Sequence, residues 1–190
     1  MKPLWTLAVL LGLALGQSEA ELNPTRELLA KGQCAEALPL LEDLVELYPQ
    51  SLTVRHNLGA AHFCLHQYSE AVADFNQALA IDPGSINTYY QRGLANIYQE
   101  HYREALPDIE RVLQANPKFA YGYYWRATIY HGLLDYQSAL SDYSKTIELD
   151  PKHARAYYNR GIVYEQLGNQ KQAKRDNQRA RELDPSLRQR

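Results

Sequence analysis

The sequence predicts an all-α fold, a solenoid of antiparallel helix pairs, on three observations. Pro49, Pro83, Pro117, Pro151 and Pro185 recur at a spacing of 34 residues, and Ala37, Ala71, Ala105, Ala139 and Ala173 keep the same period. So do Leu41, Phe75, Ile109, Tyr143 and Asn177, and the small residues Gly59, Gly93, Ala127 and Gly161. Within each period two stretches place their apolar and small residues on one helical face. In 86–119, Tyr89, Arg92, Gly93 and Asn96 mark the first face, and Ala105, Ile109 and Val112 the second.

The elements follow in chain order. Residues 1–20 read as a secretory signal peptide. Lys2 gives a basic start, Leu4 to Gly16 is uncharged and apolar but short for a membrane span, and Ser18-Glu19-Ala20 suits a signal peptidase. The mature chain is then expected to begin at Glu21, exported to a periplasm or secreted. Retention of the segment as an uncleaved membrane anchor is the alternative. Residues 21–51 form a degenerate helix pair whose first helix is weakened by Pro24. Full pairs occupy 52–85, 86–119, 120–153 and 154–187.

The proline at the end of each pair holds the residue before it out of helical geometry and so stops the second helix. Pro39 and Pro107 fall early in second helices, where a missing amide is expected to cost little. Asp135 and Asn169 sit where N-caps are wanted. Tyr68, Tyr102 and Tyr136 stand three residues before their alanines, and Gly93 and Ala105 let helix backbones approach. Lys171, Lys174, Arg175, Asn177, Arg179 and Arg181 give the last helix a polar outer face, so the array is expected to end there without a separate capping helix.

Composition narrows the function classes. The 190 residues carry 20 basic against 22 acidic side chains, which gives no global attraction to nucleic acid or anionic membrane. Fifteen tyrosines stand against three phenylalanines and two tryptophans, a bias toward aromatic surface that also meets water. No paired acids, nucleophile–base arrangement or phosphate loop recurs with catalytic spacing, so no enzyme and no cofactor are expected. His62 and His66 are spaced i, i+4 beside Cys64, but no third and fourth zinc ligand is evident, so His62 reads as a core residue and His66 as exposed.

These residues resemble the tetratricopeptide repeat. Gly59, Tyr68, Ala71, Phe75, Ala78 and Pro83 match its pattern in one unit. Tyr123, Ala127, Tyr130, Tyr136, Ala139, Tyr143 and Pro151 match it in another, and Tyr157, Gly161, Tyr164, Ala173, Ala180 and Pro185 in a third. The resemblance implies a right-handed α-solenoid whose first helices line a groove for protein partners. Its second, fifth, sixth and ninth positions face that groove. Those positions put Asn87, Tyr90, Gln91, Tyr121, Tyr124, Trp125, Arg155, Tyr158 and Asn159 in a candidate partner site, a row of tyrosine rings flanked by amides. Thr53, His56 and Asn57 hold the same positions one repeat earlier. The family's carboxylate clamp is matched only by Arg155 and Asn159, with Tyr90, Leu94 and Tyr124 elsewhere in it, and is rejected.

Arg92, Arg126 and Arg160 stand where the family usually has leucine, and Asp74, Asp108, Asp142 and Asp176 recur in step, which predicts a repeated ion pair between facing helices. Stacking brings Cys34 and Cys64 to one edge. A disulfide worth ~3 kcal/mol in an oxidising compartment and two reduced, half-buried thiols both fit. The expected function is a non-enzymatic interaction scaffold outside the cytoplasm, serving assembly or maturation of a larger complex, with no nucleic-acid partner. A glycan- or cell-wall-binding protein using the same rings is the alternative.

Overall fold

The computed structural model describes residues 22–187. The predicted signal peptide and its cleavage point lie outside the described residues. Ten helices occupy the described part: α1 over 22–30, then α2 (Cys34–Leu47), α3 (Leu52–Cys64), α4 (Tyr68–Ile81), α5 (Ile86–Tyr98), α6 (Tyr102–Ala115), α7 (Ala120–Gly132), α8 (Tyr136–Leu149), α9 (Ala154–Gln166) and α10 (Gln170–Leu183). The chain divides into two compact units, Met1–Gln91 and Arg92–Arg190, with the boundary inside α5.

One turn chemistry repeats through the chain. Gly32, His66, Glu100, Leu134 and Gly168 all have positive φ, between 60° and 75°. Each follows a first helix and closes it with two hydrogen bonds. After α3, for example, Gln67 N–H donates to His62 O at 2.9 Å and His66 N–H to Phe63 O at 3.0 Å. This left-handed residue satisfies carbonyls that the helix end leaves open. At the other end of each pair, Tyr48, Asp82, Asn116, Asp150 and Asp184 leave the helix with φ between −129° and −140°. Each precedes a proline of the 34-residue series, whose ring excludes helical geometry there.

Several local expectations need correction. Pro39 and Pro107 are sixth in α2 and α6, past the first-turn amides that have no partner in any helix, so each removes a helical hydrogen bond. Both are exposed, so the freed carbonyls of Ala35 and Arg103 lie on the hydrated side and the helices continue. Asp135 caps α8 through Ser138 N–H at 3.2 Å, but the Asn169 side chain makes no cap bond. Asn177 is not on an outer face. It is buried against Gly161, its Nδ2 donating to Glu165 Oε1 at 2.9 Å. Pro24 does not prevent α1.

Within each unit, first helices pack on the second helix of their own pair (α3 on α4, α7 on α8, α9 on α10). Second helices pack on the following first helix (α2 on α3, α6 on α7, α8 on α9), and α7 also meets α9. In the first unit Leu22, Ala37, Leu41, Leu44, Val54, Leu58 and Ala61 form the core. Cys34, at the start of α2, and Cys64, at the end of α3, are joined as a disulfide with Cα atoms 6.2 Å apart. Gly59 has no room for a side chain, since a Cβ there would fall 2.7 Å from the Phe75 ring.

The matched charge series pair across helices. Arg92 reaches both Asp108 oxygens at 2.8 and 2.7 Å, Arg126 those of Asp142 at 2.6 and 3.0 Å, and Arg160 those of Asp176 at 2.7 and 2.9 Å. Arg126 also packs against the Tyr123 and Tyr130 rings, and Arg160 against Tyr157 and Tyr164. In the first unit Leu58 holds the arginine's position. Asp74 instead takes its partner from His62, at 2.7 Å to Nδ1, and burial raises the Asp74 pKa against the opposing pull of that histidine. His62 is therefore engaged and half-buried, while His66 is exposed and bonded to Tyr68.

Candidate functional site: an aromatic pocket at the start of α9

The nine groove residues read from the sequence fall in both units. Asn87, Tyr90 and Gln91 belong to the first, where Asn87 is exposed and the other two half-buried. There Asn87 Nδ2 lies 3.2 Å from His56 Nε2, and His56 Nδ1 lies 2.9 Å from Thr88 Oγ1. Asn87 can only donate through its amide nitrogen, so Nε2 accepts and Nδ1–H donates to Thr88. Burial lowers the His56 pKa, in keeping with this neutral ring.

The second unit brings more of them together. Tyr121, Tyr124, Trp125 and Arg155 line one pocket of about 240 Å3 with Asp150, Lys152, His153 and Ala154. Helix α7 supplies the rings at spacings that put them on one face. The turn after α8 and the first turn of α9 supply the polar wall. Trp125 is half-buried and lies between Tyr98, 6.2 Å away between ring centres, and Tyr124, 4.9 Å away. Tyr98 and Tyr121 are exposed, at 51% and 52%.

Tyr124 departs from the expected row of accessible rings. Only 8% exposed, it belongs to the core formed with Ala127, Ala139, Tyr143, Ala156 and Val163. Its hydroxyl accepts from Asn159 Nδ2 at 3.2 Å, and burial raises its pKa. Tyr143 below it is fully buried and its pKa is pushed up to about 12, again by burial. The Tyr143 ring from α8 packs against Tyr124, the ring centres 6.0 Å apart, and the His153 ring lies 4.7 Å away, so neighbours close over Tyr124. Asn159, an amide expected to face a ligand, is thus spent on a tyrosine. Tyr158 is half-buried and does not line the pocket.

His153 is a pocket residue that sequence reading missed. It precedes α9 as its N-cap, with Nδ1 accepting from Ala156 N–H at 3.2 Å. Its ring lies 4.7 Å from that of Tyr124 and 5.0 Å from that of Tyr121. Burial lowers its pKa, so the neutral form is favoured. The signal available in the sequence was the residue before each first helix, which runs Ser51, Ser85, Phe119, His153.

Two larger clefts open beside the Arg–Asp pairs, about 420 Å3 beside Arg126 and about 440 Å3 beside Arg160. Most of their charge is already paired, Lys145 with Glu148 and Arg179 with Glu182. Among the described residues no cluster of three or more metal-ligating side chains occurs, and no helix is long and apolar enough to cross a membrane.

Comparison with protein families now bears on identity. Models of the tetratricopeptide repeat match residues 8–51, 54–85, 90–133 and 154–187, and a model described as TPR repeat matches 135–168. The chain belongs to the tetratricopeptide-repeat family. Solved structures agree on the fold, an α-solenoid of repeats. MamA (residues 41 to the end) from Desulfovibrio magneticus RS-1 is 24% identical, with a TM-score of 0.83 over 90% of this chain and 97% of that one. A MamA RS-1 double mutant is 24% identical, with 0.82 over 89% and 95%. YrrB, whose structure is described as a TPR protein with an unusual peptide-binding site, is 23% identical, with 0.76 over 88% and 86%. At such identities the likeness is one of fold. No curated protein matches this tetratricopeptide-repeat chain.

Proposed function

We propose that this protein is a non-enzymatic interaction module that binds a protein or peptide partner outside the cytoplasm, in the assembly or maturation of a larger complex. The observation that carries the reading is the cluster of Tyr98, Tyr121 and Trp125, rings on a water-facing surface beside the pocket at the start of α9. Such rings bring large contact area at little rotamer cost and dominate interface energies. Tyr158 and Asn159 support this surface within the second unit, and Asn87, Tyr90 and Gln91 are proposed as partner-binding residues of the first unit by itself. The peptide-binding site of YrrB, a protein of the same fold, fits this reading. Export rests on the N-terminal sequence pattern, and the Cys34–Cys64 disulfide supports it, because such bonds persist in oxidising compartments.

Peptide display against the full chain, with the selected peptides measured on Trp125→Ala, tests the proposal. The variant is expected to bind about 2 kcal/mol more weakly with unchanged circular dichroism. If helicity falls along with binding, Trp125 is a core residue and the surface reading fails. N-terminal sequencing of the exported protein should give Glu21, and an intact Met1 in a membrane fraction would refute soluble export.

A further inference from the structure

The pocket at the start of α9 has an unmet hydrogen-bonding demand that the aromatic surface alone does not explain. His153 is 8% exposed, and its Nε2 has no hydrogen-bond partner among the described residues. Because Nδ1 accepts from Ala156 N–H, the neutral ring carries its proton on Nε2. That N–H is an unpaired donor in the pocket wall. Two more donors stand beside it: the amides of Ala154 and Arg155, in the first turn of the 13-residue α9, which find no acceptor in the described chain.

Charge at the mouth points the same way. Lys152 and Arg155 line the pocket against one carboxylate, Asp150, whose Oδ1 is held by Lys152 N–H at 3.0 Å. Arg155 makes no ion pair among the described residues, and its charge acts on Tyr124 and His153 in the pocket as well as on Asp184. The positive end of α9 adds to this field. A ligand group that answers three N–H donors and a net positive mouth is a carboxylate. The flanking walls, Tyr121 and Trp125, would take an apolar or aromatic side chain beside it. His153 Nε2 is itself enclosed, and Tyr121, about half exposed with its ring centre 5.0 Å from that of His153, is the neighbouring side chain whose turn on the surface of α7 would admit a ligand to it.

We propose that this pocket binds a peptide carboxylate through His153 Nε2–H, the Ala154 and Arg155 amides and the Arg155 side chain, with the neighbouring peptide side chain against Tyr121 and Trp125. The inference rests on the peptide-binding reading above and names its chemistry. The carboxylate can be a chain terminus or an Asp or Glu side chain, and the test separates the two.

Trp5→Phe in the full chain leaves Trp125 as the sole tryptophan, so its fluorescence reports the pocket. Three probes are titrated: acetyl-Gly-Gly-Phe with a free C-terminus, the same peptide as its amide, and acetyl-Gly-Asp-Phe amide. A carboxylate-bearing peptide is expected to bind about tenfold or more tightly than the peptide without one, the ratio that charge-assisted hydrogen bonds supply. Whichever of the two shows it identifies the source. His153→Ser copies the serine cap that Ser51 already provides on α3 and withdraws the deep donor. It should abolish most of the preference with circular dichroism unchanged, and Arg155→Gln should reduce the preference and its salt dependence. Equal affinity for all three peptides overturns the carboxylate site while leaving the aromatic surface standing. So does a preference that survives His153→Ser. Absence of any Trp125 response also overturns it, and the display experiment then decides the surface separately.

Discussion

Replacing Glu100 by glycine is expected to stabilise the protein, and replacing Gly168 by alanine to destabilise it by a similar amount. Both residues occupy the same left-handed position in the turn after a first helix, with φ of 60° and 75°. An L-residue there costs roughly 1–2 kcal/mol in steric strain, while glycine gives back about 0.5–1 kcal/mol through the greater freedom of the unfolded chain. The difference leaves about 0.5–1 kcal/mol in favour of glycine. Glu100 is the cleanest of the three non-glycine sites, because it is exposed and its removal takes a negative charge away from a helix C-terminus. His66 and Leu134 are poorer tests, since His66 would lose its 2.7 Å contact to Tyr68 and Leu134 some apolar cover. At Gly168 an added Cβ meets nothing within 4 Å, so only the backbone term changes. Urea unfolding of the oxidised full chain, followed by circular dichroism, should move the midpoint up for Glu100→Gly and down for Gly168→Ala with unchanged slope. A neutral Gly168→Ala would refute the reasoning outright, because it would mean that the left-handed turn does not constrain residue choice.

Further outcomes follow from the packing. Asp142→Ala leaves the half-buried Arg126 uncompensated and should cost about 3–5 kcal/mol, whereas Arg126→Leu combined with Asp142→Ala should recover most of that loss, both read by urea denaturation. Gly59→Ala drives a methyl into the fully buried Phe75 ring and should cost about 1–3 kcal/mol in the same assay. Stability should fall as pH drops below about 6.5, the ordinary histidine value. Burial holds the folded pKa of His56 and His153 below their unfolded values, so the unfolded chain takes up protons first, and the stability present above that value is lost as pH falls toward the folded pKa. His153→Ser should flatten part of that dependence in thermal unfolding measured from pH 7.5 to 5.

Much of the fold was legible because the 34-residue period is written in residues with a single local job. Proline before a turn, a small residue where helices cross and an Arg–Asp pair in step each carry their geometry in the residue type. The left-handed series 32, 66, 100, 134, 168 was just as periodic but went unseen, because only Gly32 and Gly168 carry the residue that marks it. The site was less legible for a different reason. A groove position gives the direction of a side chain, not the depth at which neighbours close over it. Tyr90, Tyr124 and Tyr158 share a frame position, yet Tyr124 is buried where the Tyr143 and His153 rings pack against it.

That contrast also locates where this array departs from a plain scaffold. Phe119 makes no side-chain cap bond to α7, but the residue preceding a first helix can cap it, as Ser51 does for α3 by accepting from Val54 N–H. A serine suffices for that. At the start of α9 the duty falls to His153, whose Nδ1 makes the equivalent bond to Ala156 N–H while the rest of the ring spreads between Tyr121 and Tyr124. Burying that ring lowers its pKa and leaves a polar atom unpaired, a desolvation cost of about 1–3 kcal/mol that a serine cap would avoid. The added ring burial offsets part of this cost, and a phenylalanine or leucine would supply such burial without the unpaired atom. What only a histidine supplies there is a cap acceptor on one side of the ring and a donor on the other. A donor kept dry beside two free helix amides has a use only when an acceptor arrives. This unpaired buried donor thus coincides with the wall of the second unit's aromatic pocket.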